Sequence, residues 1–182
     1  TVLFVRTKRQ AKEMVKKTAE NLKQPYVVTR WLGGTLTNFE TIAKNLKALE
    51  KLEELAKSDD FQKYTKKERK RIEEKMIKML AIFSGVRKMA KLPDVLFVVD
   101  TAKEDVAVKE ARKMEIPIVG ICDTNSNPDL IDFPVPANDD SEKTITLIMN
   151  KIEEGLKDKN DERAKSDVKS DRPTPKGSRE KK

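Results

Sequence analysis

Val95-Leu96-Phe97-Val98-Val99-Asp100 and Pro117-Ile118-Val119-Gly120-Ile121-Cys122-Asp123 flank a helix-length stretch, Lys103 to Met114. Each run is apolar without alternation, as expected of a strand covered on both faces. Between them, Val106, Ala107, Glu110, Ala111 and Met114 mark one side of a helix. Strand, helix and strand this close together form a βαβ unit, with parallel pairing and a right-handed crossover. The fold class is therefore α/β.

Upstream, Val2–Val5 reads as a short buried strand and Tyr26–Val28 as another, separated by a basic helix from Lys8 to Leu22. Downstream, residues 128–138 are loop-like, with an edge strand near Pro134–Pro136 and a last helix from Glu142 to Leu156. Inserted between are two long helical patterns. Phe39, Ile42, Leu46 and Leu49 lead the first, which Ser58-Asp59-Asp60 interrupts; Thr37 and Glu40 form a capping-box pattern at its start. The second runs from Lys66 to Lys91, and Ile72, Met76, Met79, Phe83, Val86 and Ala90 give it a coiled-coil seam. The expected organisation is an α/β domain over 1–35 and 93–156, an inserted antiparallel coiled-coil helical hairpin over 36–92, and a disordered charged tail over 157–182.

The 182 residues carry 39 basic and 31 acidic side chains, a net charge of +8. Residues 1–35 and 36–92 each carry +6, residues 93–150 carry −7 and residues 151–182 carry +3. A molecule polarised in this way suits a polyanion on its basic side. There is no histidine, which excludes histidine-dependent nucleophilic catalysis and histidine-ligated metal sites. Cys122 is the single cysteine, so no internal disulfide forms. No apolar run approaches the roughly 20 residues of a membrane helix. The chain opens at Thr1 directly into a strand, and a missing N-terminal piece is expected.

Three groups are candidates for RNA contact. Arg6, Lys8, Arg9, Lys12 and Lys16 belong to the first basic segment, with Lys8, Lys12 and Lys16 spaced for one helix face. Arg30, Trp31, Gly33 and Gly34 lie in the loop 29–38, where backbone N–H groups before a helix could receive a phosphate and an indole could stack on a base. Against this, Gly33-Gly34 is also a tight turn and Trp31 a natural loop anchor. Lys66, Lys67, Arg69, Lys70 and Arg71 cluster near the hairpin tip, with Glu68 the only acid among them. Asp100 and Asp123 close two parallel strands, at the edge where open α/β sheets bind ligands. They are the candidates for a metal, with Asp139 and Asp140 nearby, and a structural Mg²⁺ is the one cofactor considered. The alternative function is therefore a Mg²⁺-dependent regulatory or phosphotransfer module. No nucleophile–base pair is present, and no residue is assigned as catalytic.

Gln24-Pro25-Tyr26-Val27, Arg30-Trp31-Leu32-Gly33-Gly34-Thr35-Leu36-Thr37-Asn38-Phe39, Leu92–Asp100, Ala107–Ala111, Ile116–Val119, Asp123-Thr124-Asn125, Pro128–Asp132 and Asn138-Asp139-Asp140 occur in that order. Together they resemble the bacterial-type small-subunit ribosomal protein S-two family, over about residues 2–156. The resemblance implies a flavodoxin-like three-layer parallel sheet with an inserted helical hairpin. It implies a structural, non-enzymatic role in the cytoplasmic small ribosomal subunit, bound to small-subunit rRNA between head and body. The implied partners are that rRNA and neighbouring small-subunit proteins, including the messenger-binding protein S-one, whose recruitment supports translation initiation. Neither a membrane nor a second copy of the chain is implied in the assembled state. The chain departs from the family in lacking a histidine-containing N-terminal segment, and in carrying Arg6 where glycine is usual.

Overall fold

The computed structural model describes residues 1–170, with side chains described over residues 1–158. Strands β1 (Val2–Val5), β2 (Tyr26–Val27), β3 (Val95–Val99), β4 (Ile118–Cys122) and β5 (Phe133–Pro136) form one parallel sheet in the order β2-β1-β3-β4-β5. Leu3 pairs with Leu96, Val98 with Gly120 and Val5 with Val27. The three central strands are buried almost throughout, which is why their sequences read as unbroken apolar runs. Pro134 and Pro136 are tolerated in β5 because it is an edge strand and needs its N–H groups on one side only.

From β1 the chain steps outward to β2, then returns across β1 to β3 and proceeds the other way to β4 and β5. With one crossover hand, this reversal puts the connecting helices on opposite faces. Helices α1 (Lys12–Asn21) and α5 (Glu142–Ser170) cover one face. There, Val15, Ala19, Ile145 and Met149 pack on Phe4, Phe97, Val99 and Ile121. The other face carries α4 (Asp105–Lys113) and the root of the inserted pair, α2 (Phe39–Lys57) and α3 (Lys66–Phe83). Ile42, Leu46, Leu49, Ala107 and Ala111 meet Leu3, Val5, Leu96, Val98 and Ile118 there. The result is three layers with a topological switch point between β1 and β3.

The buried residues of α2 are Ile42, Leu46 and Leu49, all in its first two-thirds, and α3 buries only its last residue, Phe83. The distal part of the helical pair therefore stands clear of the core. A seam of half-buried Leu52, Leu55 and Ile72 remains there, with Phe61 buried at the tip, while Met76 and Met79 pack against the core. At 1.5 Å per residue each arm is roughly 28 Å long.

Several boundaries differ from the sequence reading, each for a local reason. Helix α1 begins at Lys12 because Ala11 takes a left-handed conformation and Arg6 and Thr7 are tied elsewhere. The capping box expected at Thr37 and Glu40 does not form; Thr37 turns to Glu110, and Asn38 caps α2 without a side-chain bond to the backbone. A capping box forms instead at Thr65 and Glu68, opening α3. Helix α3 ends at Phe83, so the seam expected through Val86 and Ala90 is not carried by one continuous helix. The chain turns where Gly85 meets β2: a Cβ at Gly85 would lie 2.1 Å from the carbonyl oxygen of Tyr26 and 2.5 Å from its ring. Because a backbone atom cannot swing aside, Gly85→Ala is expected to cost about 3 kcal/mol, the upper end for overpacking, as read by urea unfolding. Helix α5 continues past Leu156 to Ser170 through a charged stretch in which lysine, a helix former, recurs at 157, 159, 165 and 169. The remainder of the expected disordered tail, 171–182, lies outside the described residues.

Candidate nucleic-acid interface

The loop 29–38 is organised around one carboxylate. Glu110, on the inner side of α4, is 8% exposed. Its Oε1 accepts from the Trp31 indole at 3.1 Å and from Gly34 N–H at 2.7 Å. Its Oε2 accepts from Leu36 N–H at 2.9 Å, Thr37 N–H at 3.1 Å and the Thr37 hydroxyl at 3.2 Å. Gly34 lies at φ 88, the left-handed turn that aims these N–H groups inward. Burial pushes the Glu110 pKa up, but the donors from Leu36, Trp31, Gly34 and Thr37 outweigh it, and the pKa ends below its ordinary value. The Gly34 N–H, expected to help receive a phosphate, is thus taken by the protein's own anion, while Gly33 stays exposed. Trp31 is buried as the loop's anchor rather than offered for stacking. Arg30 stays exposed at the loop's outer side. In the sequence Glu110 shows only as a marker of the α4 face; the usable signal is an acid on that otherwise apolar stripe.

At the switch point, Arg6 is fully buried. Its Nε donates to the Gln10 carbonyl at 3.0 Å, Nη2 to the Asp139 carbonyl at 2.8 Å and Nη1 to the Val99 carbonyl at 3.5 Å. The same Nη1 lies 3.5 Å from Asp100 Oδ2. An arginine consumed in this way cannot reach RNA, so Arg6 leaves the candidate surface. Lys8 is displaced too: it precedes α1 and pairs with Asp100 at 3.5 Å and with Asp140. The Asp140 hydrogen bond chiefly holds the Lys8 ammonium above its ordinary pKa. Beside it, buried Glu104 Oε1 accepts Thr7 N–H at 2.8 Å and the Thr7 hydroxyl at 2.5 Å.

Asp100, Asp139 and Asp140 bring one oxygen each within 4.8 Å of one another. Asp123, the other expected metal candidate, is not in this group; it holds the Thr124 and Asp139 N–H groups at 2.7 and 3.4 Å. Asp139 is pushed up in pKa, first by burial and then by the Asp100 charge. Arg6 and Lys8 supply two positive charges among these acids, so the cluster is built as an internal ion network.

The remaining basic candidates are on the surface. Arg9 is exposed, and Lys12 and Lys16 are half-exposed on α1. At the tip, Lys66, Lys67, Lys70 and Arg71 are exposed and hold no ion pair among the described residues. Arg69 is half-buried, and its Nη1 donates to Gln62 at 2.9 Å. Glu68, the one acid of the cluster, is absorbed by the capping box, and its bonds with Thr65 hold its pKa below the ordinary value. The arrangement brings the α1 and loop cations to the body and leaves the tip cations on a separate, projecting arm. Among the described residues no helix is long and apolar enough to cross a membrane.

The family described as Ribosomal protein S2 matches residues 1–158. The chain is similar to the small ribosomal subunit protein uS2 of Helicobacter acinonychis, 48% identical over 156 residues, covering 86% of this chain and 63% of the relative. That of Wolinella succinogenes is 48% identical over 158 residues, covering 87% and 58%. That of Cytophaga hutchinsonii is 44% identical over 162 residues, covering 89% and 64%. The chain thus spans about three-fifths of the length of these curated relatives.

Proposed function

The chain belongs to the ribosomal protein S2 family, and from this we propose that it is a structural, non-enzymatic constituent of the small ribosomal subunit in the cytoplasm, bound to small-subunit rRNA between head and body. One observation carries the RNA contact: the tip of the inserted helical pair presents Lys66, Lys67, Lys70 and Arg71 without ion-pair partners among the described residues, on an arm clear of the core. The local acid is spent on the helix cap. Unpaired cations on a stiff projection neutralise phosphates without reading bases, so position follows RNA shape. Arg9, Lys12, Lys16 and Arg30 give the body a second contact.

The acidic region 93–150, net −7, faces solvent or a protein neighbour in this reading. Recruitment of the messenger-binding protein S-one, and assembly as a single copy, extend this reading from the resemblance. The alternative Mg²⁺-dependent module finds less support, because Arg6 and Lys8 already neutralise the acids it would use.

Charge reversal at Lys66, Lys67 and Lys70 is expected to weaken binding to transcribed small-subunit rRNA by about tenfold or more and to flatten the salt dependence. Filter binding at several salt concentrations checks this. Unchanged affinity and slope would remove the tip from the interface.

A further inference from the structure

A cavity of about 530 Å³ opens between the C-terminal end of α1 and the segment that follows α3, with Tyr26 on its floor. Lys23 lines it from the α1 side, and Arg87, Lys88 and Lys91 line it from the other. Arg87 is committed to Glu53 at 2.6 and 3.1 Å, and Lys91 to Asp94 at 3.2 Å. Lys23 and Lys88 are exposed, and neither holds an ion pair among the described residues. The acid in the wall, Glu20, accepts the Tyr26 hydroxyl at 2.8 Å. Burial first, and then the Glu20 hydrogen bond, push that hydroxyl up to about 12, so it stays a donor near neutral pH.

The cavity does not stand alone. Lys12 and Lys16 lie one turn apart on α1, and Lys23 follows just past its C-terminal end, so the three cations lead from the switch-point end of the sheet down to this cleft. The track is roughly 17 Å long. A small anion would use one end of it; a polymer with regularly spaced negative charge would use all of it. Lys23 also follows the helix at φ 55, with Lys23 N–H bonded to Glu20 O at 3.0 Å and Gln24 N–H to Ala19 O at 2.8 Å. That is a helix-ending position where glycine is the favoured residue, yet it carries a cation.

We propose that this cleft seats an RNA backbone segment between Lys23 and Lys88, bridging the α/β body and the root of the helical pair. The inference rests on the rRNA-binding reading above and adds to it a site on the opposite end of α1 from the expected candidates. The contact is to phosphate, so it is independent of base sequence.

The test uses the full chain and transcribed small-subunit rRNA, with Lys23→Gly, Lys88→Ala and the pair combined. Lys23→Gly removes the charge at a position glycine prefers, so thermal unfolding is expected to be unchanged or to rise while affinity falls. Two lost phosphate contacts are expected to reduce the slope of log K against log[salt] by about 1.5 in the combined variant. An unchanged slope, with wild type binding normally, overturns the cleft and leaves the tip contact standing. A wild-type chain that does not bind the RNA at all overturns the rRNA reading and this inference together. If Lys23→Gly loses affinity only in step with lost stability, the effect is structural and the proposal falls.

Discussion

Glu110→Gln is expected to destabilise the protein by about 3–5 kcal/mol. The carboxylate divides its acceptors: Oε1 takes Trp31 and Gly34, while Oε2 takes Leu36 and both groups of Thr37. An amide keeps one oxygen and turns an NH₂ toward the other set, so at least two buried donors lose their acceptor. Each such orphan costs about 1–3 kcal/mol. Against a total stability of about 5–15 kcal/mol this is a large fraction. Trp31 is the only tryptophan, so its fluorescence should report release of the loop during urea unfolding, with circular dichroism reporting the helices. The pH dependence has a definite sign. The folded pKa of Glu110 lies below its ordinary value of 4.5. Its contribution is therefore present above that value and is lost as pH falls through the folded pKa. The gap between wild type and variant should be widest near neutrality and close in acid. A gap independent of pH, or a blue-shifted and unperturbed Trp31, would mean that the loop is held by packing alone.

Arg6→Ala is the second large effect, about 3–5 kcal/mol at pH 7. Removing one member of a buried pair leaves the other charge uncompensated. Here Asp100 loses its fully buried partner and keeps only the partly exposed Lys8 at 3.5 Å, and the carbonyls of Gln10, Val99 and Asp139 lose a donor. Asp139 already sits above its ordinary pKa through burial and the Asp100 charge. Without the guanidinium nearby, protonation of Asp139 becomes more favourable in the folded state. The deficit should therefore shrink as pH is lowered toward the carboxylate range. Arg6→Lys should lie between, because one ammonium cannot reach three carbonyls in a planar fork. RNA affinity measured on the folded fraction should not change. A loss of affinity with stability intact would return Arg6 to the binding surface, against its burial.

These two residues also mark where the sequence was legible and where it was not. The strands and the crossover were readable because Val95–Val99 and Ile118–Cys122 are apolar on both faces and flank a helix-length amphipathic stretch, as a covered parallel sheet requires. The exposed position of Lys66, Lys67, Lys70 and Arg71 was readable because so dense a run of charge cannot be buried unpaired. Arg6 was not, since an arginine just past a strand looks like surface unless the acids that enclose it, 94 and 133 residues later, are known to converge. Glu110 left a visible trace on its apolar stripe, but its donors come from a loop more than 70 residues away. Thr37 fitted a local capping rule and lost to that distant carboxylate, while the same rule held at Thr65, where no competitor exists. Local patterns survived where the partners were local. The cleft at Lys23 and Lys88 joins two segments that no local pattern relates.

The proposed place in the small subunit is open to a rebinding experiment. The chain is added to small subunits stripped of their S2 protein and sedimented at low and high salt, beside a full-length relative as control. Pelleting of one copy per subunit, lost steeply as salt rises, is expected. A chain that stays in the supernatant while the control pellets, or that pellets without saturation at one copy, would contradict it.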